Sequence, residues 1–468
     1  MNNIDNHTRH NRERIPVVYI AGIQNDKDGA IKAWLKHAVA SFTPLAIADP
    51  GTIIIDNADY DRLTPEALNE FLVDADADAV VWATAPDGNA EYCFHCAVSH
   101  YPKVKYQGRQ AKVFTVATVK TGDAATGRLL AANVLSAALS EIADIRLAPS
   151  ALIRGCIDAM ETALAGQLER GLYLNTLEEL QTLYFIARED QGWERKLRRA
   201  IDLNERLCRE LEGTDTVRIA RLMHIRASKL AILGERTGNV QDIMAAITAL
   251  KKAAPDTTDD VERARLDVTL ANCKSALGLI LGDTEILKAA RDVLRNIIPV
   301  LYRHLAVESW AVAQTNLSAT CWNLYGATDD FAYGDEALDA VQEALTIYNP
   351  KNFPLDWAMA KQNLGCMLGT LGQDPKNLNA LQYGIDCLRD ALTVYTRDTV
   401  PMDYAMASAN LAASLCTLAD YTKDTDHLKS AETCLLQALD VYTAASCSAV
   451  TDIEERLDAL RRKISAAA

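Results

Sequence analysis

Three stretches of the chain align with one another, without a gap, at an interval of 47 residues. Trp310-Ala311, Trp357-Ala358 and Tyr404-Ala405 share one register; Asn316-Leu317, Asn363-Leu364 and Asn410-Leu411 share another. Small residues follow at Ser318, Gly365 and Ala412, and again at Ala337, Gly384 and Ala431. Ala344-Leu345, Ala391-Leu392 and Ala438-Leu439 come next, and Tyr348, Tyr395 and Tyr442 close the units. A weaker copy upstream keeps Ala264, Leu270, Ala271 and Ala290 in register, and one near Ala220, Ala227 and Ala246 fits at an offset of 44. A repeat of this length is one supersecondary piece that buries its apolar faces only by stacking on its neighbours.

The spacing predicts two antiparallel helices per unit. Small side chains let their backbones approach closely. Leu364, Leu368, Leu388, Leu392 and Tyr395 fill the space between hairpins. Pro354 and Pro401 end one helix and open the next. Helical pattern also covers Ser150–Glu169, Thr176–Ala187, Trp193–Leu211 and Thr216–Leu233. Residues 15–147 differ, with strand candidates at Val17–Ile23, Pro44–Ile55, Ala79–Ala85, Glu91–Val98 and Lys112–Lys120. Helical pattern separates them at Asp28–Phe42, Thr64–Val73 and Arg128–Ile142, with Asp87-Gly88 as a hairpin turn. The chain is read as a disordered tail (1–14), a small α/β domain (15–147), helical hairpins that link to the array or start it (148–215), a repeat array (216–448) and a terminal capping helix with its tail (449–468).

The pattern resembles that of tetratricopeptide repeats: Asn363-Leu364-Gly365 with Gly372 matches the family's first helix, and Ala391-Leu392-Thr393-Val394-Tyr395 the end of its second. The departure is length, 47 residues against the family's 34, with the excess in Gly326–Tyr333, Gly372–Asn379 and Ala419–His427. The resemblance implies a mainly α fold, a right-handed superhelical array of α-hairpins, preceded here by the small α/β domain. It also implies a concave face, lined by first helices, that binds a protein or peptide. An asparagine ladder of the kind known in O-linked N-acetylglucosamine transferases would place Asn316, Asn363 and Asn410 against the backbone of an extended peptide, since Asn both donates and accepts. Gln314, Thr315, Lys361 and Gln362 would flank it. The family's clamp for a C-terminal carboxylate lacks its residues here. The order of elements in residues 15–147 is similar to the amino-terminal domain of TolB-type proteins, found ahead of such arrays in bacterial signalling proteins, which implies assembly or protein contact.

Other clusters point elsewhere. Cys93, Cys96, His95 and His100 are zinc-type ligands, but residues three apart on a strand face opposite ways. Asp74, Asp76 and Asp78 read as a solvated loop. Asp329, Asp330, Asp335, Asp374, Asp420, Asp424 and Asp426 lack the spacing of a calcium loop and read as helix caps. Trp310, Trp357 and Tyr404 recur with the period and so belong to packing. Arg195, Lys196, Arg198, Arg199, Arg206 and Arg209 interleave with glutamates as on a salt-bridged helix.

Of 468 residues, 48 are Lys or Arg and 63 Asp or Glu. The resulting net charge of −15 argues against general nucleic-acid binding. Residues 305–468 hold 11 basic and 22 acidic groups, which disfavours acidic partners and steers basic ones. No apolar run reaches membrane-span length and no leader is recognisable, so the chain reads as cytoplasmic, with its 11 cysteines as buried thiols. No phosphate loop, nucleophile elbow or metal-protease helix is present, and no nucleophile, base and oxyanion donor converge, so no enzyme activity and no cofactor are expected. The expected function is a non-catalytic adaptor or scaffold: the array grips a protein or peptide while the α/β domain docks a second partner or self-associates. The alternative is a signalling or defence sensor whose α/β domain binds a small ligand or nucleotide that the repeats transduce.

Overall fold

The computed structural model describes residues 18–23, 30–40, 79–84, 91–98, 112–120, 124–140, 150–187 and 192–467, the last stretch without 352, 398, 399, 446 and 448. The readings at residues 1–14, Pro44–Ile55, Thr64–Val73, Asp74 to Asp78, Asp87-Gly88 and His100 lie outside them. The chain is mainly helical and divides into two compact units. Of the described residues, one holds those up to 187 and 192–210, the other those from Leu211 onward.

In the first unit, strands β1 (Val18–Ile23), β2 (Ala79–Thr84), β3 (Glu91–Val98) and β4 (Lys112–Lys120) lie side by side in that order. β1 runs parallel to β2, with Val18 opposite Ala79; the other two pairs are antiparallel. Helix α1 (Ala30–Ala40) and helix α2 (Ala124–Ser140) pack on each other. Gly127 makes room for the Trp34 indole, which a Cβ there would meet at 2.9 Å. The Ala/Leu-rich α2 is the core of this unit: Leu129 through Ala137 are all at most 2% exposed. Three helices follow, α3 (Ser150–Leu164), α4 (Arg170–Ile186) and α5 (Trp193–Glu210). They cluster with the sheet-bearing unit rather than with the array. Helix α4 begins six residues before the expected Thr176, because the Glu169 carboxylate accepts hydrogen bonds from the Gly171 and Leu172 amides at 2.9 and 3.1 Å. A largely buried polar seam links α2, α4 and α5. Asn133 Nδ2 donates to Thr176 Oγ1 at 3.3 Å, Ser136 Oγ to the Glu179 carbonyl at 3.3 Å, and Asn204 Nδ2 to Gln181 Oε1 at 3.0 Å. On α5 the basic run is paired, Arg198 with Glu194 and Arg199 with Glu161, each at 2.9 Å.

The second unit is a stack of helical hairpins. They are α6 (Thr216–Thr237) with α7 (Val240–Ala253), α8 (Asp260–Leu281) with α9 (Thr284–Arg303), and α10 (Val307–Thr328) with α11 (Phe331–Ile347). Next come α12 (Pro354–Leu371) with α13 (Leu378–Val394) and α14 (Pro401–Thr422) with α15 (Thr425–Ala444), then α16 (Val450–Ala467). Two joints recur in every hairpin. The first pairs small residues 19 apart: Ala227 with Ala246, Ala271 with Ala290, Ser318 with Ala337, Gly365 with Gly384, Ala412 with Ala431. All are buried. A Cβ on Gly365 would lie 2.9 Å from the Gly384 carbonyl oxygen, and Ser318 Oγ donates to the Ala337 carbonyl at 2.7 Å. The second joint, near the tip, opposes a small and a large residue nine apart: Gly234 and Ile243, Gly278 and Leu287, Gly372 and Leu381, Ala419 and Leu428. In the third hairpin the sizes are exchanged, Tyr325 lying over Gly334. Each tip thus sets one small residue against one large one, as close packing of two helices demands.

Aspartates and one asparagine start most helices. The side chains of Asp215, Asn239, Asp259, Asp283, Asp330 and Asp424 each accept from an amide of the first turn. Asp374 caps a short 3₁₀ turn, and Pro354 and Pro401 open α12 and α14. Trp310, Trp357 and Tyr404 pack against the core. Across hairpins, Glu336 receives Arg291 at 2.6 Å and Arg295 at 2.7 Å. Helix α16 buries Ile453, Leu457 and Leu460 against the last hairpin, and Arg456 donates to the Ala409 carbonyl at 2.7 Å. Burying three aliphatic side chains there is worth roughly 1.5–3 kcal/mol each.

Candidate functional site

First helices touch first helices of the next hairpin: α6 on α8, α8 on α10, α10 on α12, α12 on α14. Second helices make no contact of comparable extent with one another. The first helices therefore form the tighter wall of this unit. One turn of each presents the residues that face outward from it. Val312, Met359 and Met406 are 42%, 38% and 43% exposed and share one repeat position. Asn316, Asn363 and Asn410 follow one turn on, all half-buried, and Ala319, Cys366 and Ala413 one turn further. The three asparagines thus form a row flanked by an apolar row that sequence reasoning missed. The signal was there: Val312, Met359 and Met406 are also 47 apart, but apolar residues at the repeat interval read as core.

The four flanking residues are placed differently from expectation. Gln314, Thr315 and Gln362 are turned into the protein, at 9%, 3% and 5% exposure, and so are corrected from groove-flanking to packing positions. Thr315 Oγ1 donates to the Ala311 carbonyl at 3.0 Å, and Gln362 Oε1 is buried without a partner. Lys361 is also corrected. It lies on the opposite side of α12 from Met359, where its ammonium meets Asp390 at 2.9 Å and the rings of Trp357 and Tyr383 at 5.6 and 5.9 Å. One residue along a helix is a rotation of about 100°, so neighbours in sequence face different surroundings.

In the first two hairpins the same wall is charged. Arg221 and Arg265 take the place of Val312 and Met359. A cleft of about 140 Å³ opens between α6 and α8, with Val217, Ala220 and Leu266 as its apolar lining and Arg221, Asp256, Asp259 and Glu262 around them. His224 also lines it, with Nε2 2.8 Å from Thr269 Oγ1. Burial holds His224 below the ordinary imidazole range, against the opposing pull of Glu262. Between α8 and α10 the equivalent space is bridged, because Arg265 Nε donates to Ser309 Oγ at 2.8 Å.

The described cysteines are free thiols. Burial pushes Cys273 and Cys321 up to about 12 and Cys366 up to about 11, so all three stay protonated at neutral pH. In β3, Cys96 is fully buried with Val81 opposite it. Among the described residues no group of three His, Cys, Asp or Glu is placed to hold a metal ion, and no helix is long and apolar enough to cross a membrane.

No protein-family model matches the chain, and no curated protein matches it. Solved structures resemble it loosely. A Rap protein complexed with competence and sporulation factor is 14% identical with a TM-score of 0.42, over 73% of this chain and 88% of that one. The apo form of RapI is 13% identical with a TM-score of 0.40, over 74% and 88%. A signal-transduction ATPase with a tetratricopeptide-repeat sensor, from Pyrococcus horikoshii, is 14% identical with a TM-score of 0.36, over 63% and 42%. Likeness at this level says nothing of what the chain binds.

Proposed function

We propose that this is a binding protein, an adaptor or scaffold, whose first-helix wall holds an extended peptide segment of a partner. The observation that carries the reading is the half-buried row Asn316, Asn363 and Asn410, repeated across three successive hairpins beside the exposed row Val312, Met359 and Met406. Each carboxamide offers both a donor and an acceptor to a peptide backbone without carrying charge. Three identical groups at a fixed interval suit a ligand that is itself periodic, as an extended chain is. The apolar row supplies the area that hydrogen bonds alone do not. The sheet-bearing unit is proposed to dock a second partner or a second copy: among the described residues β1 and β4 each have a single strand neighbour, and such an edge can accept another strand. The TolB-type likeness and a cytoplasmic setting belong to the same proposal.

The test is affinity purification from the native cell with the intact chain and with Asn363→Ala combined with Asn410→Ala. A partner retained by the first and lost by the second, with the melting transition unchanged, supports the reading. An identical set of retained proteins contradicts it.

A further inference from the structure

The wall of first helices changes character along its length, and the change specifies a ligand. At hairpins one and two it carries a cleft whose rim holds three carboxylates, Asp256, Asp259 and Glu262, against one guanidinium, Arg221. Its histidine is kept neutral by burial, as described above. Glu262 is already engaged by Arg265 at 2.6 Å and Asp259 caps α8 at 2.8 Å, while the Asp256 carboxylate has no ion pair among the described residues. The apolar lining of Val217, Ala220 and Leu266 suits an aliphatic stem, and about 140 Å³ suits one long side chain. At hairpins three to five the position of Arg221 and Arg265 is taken by Val312, Met359 and Met406, while that of Glu262 holds Ser309 and then the half-buried Asp356 and Asp403. Methionine adapts its shape to varied apolar partners.

We infer that the segment bound on this wall is bipartite: one arginine or lysine enters the cleft between α6 and α8, and apolar side chains lie on Val312, Met359 and Met406. This deepens the peptide-binding reading and rests on it. The geometry sets a spacing. Packed helices stand about 10 Å apart and an extended chain advances about 3.3 Å per residue. From the cleft, Val312 is then about five residues away, with about three more to each of Met359 and Met406. Charge complementarity decides the sign, since, with Arg265 counted against Glu262, an acidic residue would still meet a rim with one carboxylate in excess.

The experiment is fluorescence anisotropy on the intact chain with fluorescein-labelled 16-residue peptides in a Ser/Gly background. The reference probe carries one Arg and three Leu at intervals of three, starting about five residues from the Arg, made in both chain directions. The expected result is that one direction binds at least tenfold more tightly than the same peptide with Arg replaced by Glu, and than the same peptide with Leu replaced by Ser. Asp256→Asn with Glu262→Gln removes only the first preference. Met359→Ser with Met406→Ser removes only the second. Equal binding of all peptides, or a variant pair that leaves its own preference intact while the fold is kept, overturns the inference. Asn363→Ala with Asn410→Ala separates the two claims. If it weakens every peptide alike, the ladder holds the backbone; if it changes nothing while both preferences persist, the ladder reading fails and the selectivity stands. Binding of none of the peptides ends both.

Discussion

The first two hairpins of the array and the last three are built on the same joints and present different surfaces. Both regions close each hairpin on a small pair 19 residues apart and on a size-matched pair nine apart. They differ on the wall of first helices, where one outward position is arginine beside a cleft in the first region and valine or methionine in the other. Packing tolerates little change because a backbone stands behind it. The outward turn of a helix tolerates much, since no backbone stands against it.

The claim that the joints are common can be broken most decisively at the hairpin tips. A Cβ on Gly278 would stand 2.9 Å from Leu287 Cγ, and one on Gly372 2.5 Å from Leu381 Cβ. Gly278→Leu and Gly372→Leu should each cost about 3 kcal/mol of stability by urea unfolding. A large loss in one region and none in the other would mean the joints are not equivalent. The exchanged pair offers a subtler test. Tyr325→Gly should lose about 2 kcal/mol, and adding Gly334→Leu, which recreates the arrangement of hairpins two and four, should recover about half. Simple additivity of the two losses would show that size is not being exchanged across the joint.

Helix ends supply the next contrast. Gly238 and Gly282 take the left-handed conformation that ends α6 and α8, at φ of 69° and 65°. At the same repeat position Asp329 and Lys423 adopt φ of 55° and 58°. Lys423→Gly should therefore raise stability by about 1 kcal/mol, whereas glycine in place of Gly238 is already the native solution.

His224 belongs only to the first region. Its folded pKa lies below its unfolded value of about 6.5, so the neutral form is favoured by folding. The stability this provides is present above about pH 6.5 and is lost as pH falls through that value toward the folded pKa. The melting temperature of the intact chain should fall more between pH 7.5 and 5.5 than that of His224→Gln. A parallel fall in both would place the titration elsewhere. Smallest of all should be the stability effect of Asn363→Ala with Asn410→Ala, less than about 0.5 kcal/mol, as expected for half-buried groups on an outward turn.

Much of the array is legible in the sequence because small residues at backbone crossings cannot drift. Gly365 and Gly384 each lie within 3 Å of the other's carbonyl oxygen, measured from a Cβ, so their interval is fixed by geometry. The recurrence of Trp310, Trp357 and Tyr404 is legible as packing for the same reason. The wall was harder to read. Gln314, Thr315 and Gln362 look like surface residues by type, yet the helix turns them inward, and Lys361 is drawn away by Asp390, 29 residues on. The start of α4 escaped because a glutamate, Glu169, caps it in place of the usual Ser, Thr, Asp or Asn. The cleft escaped because its lining comes from α6, α8 and the segment that joins α7 to α8, with no motif. Its only trace is the shortened offset of 44 residues between the first two hairpins.

The outward turns of α12 and α14 are the surface a bound partner is expected to cover. Methionine oxidation by dilute peroxide, read by mass spectrometry with and without the Arg/Leu probe peptide, addresses this directly. Met359 and Met406, 38% and 43% exposed, should oxidise readily in the free chain and be protected by the peptide. Met367, 2% exposed, should be slow throughout, and Met244, 48% exposed on second helix α7, should oxidise at one rate in both conditions. Slow oxidation of Met359 and Met406 in the free chain, or equal rates with and without bound peptide, would contradict the account.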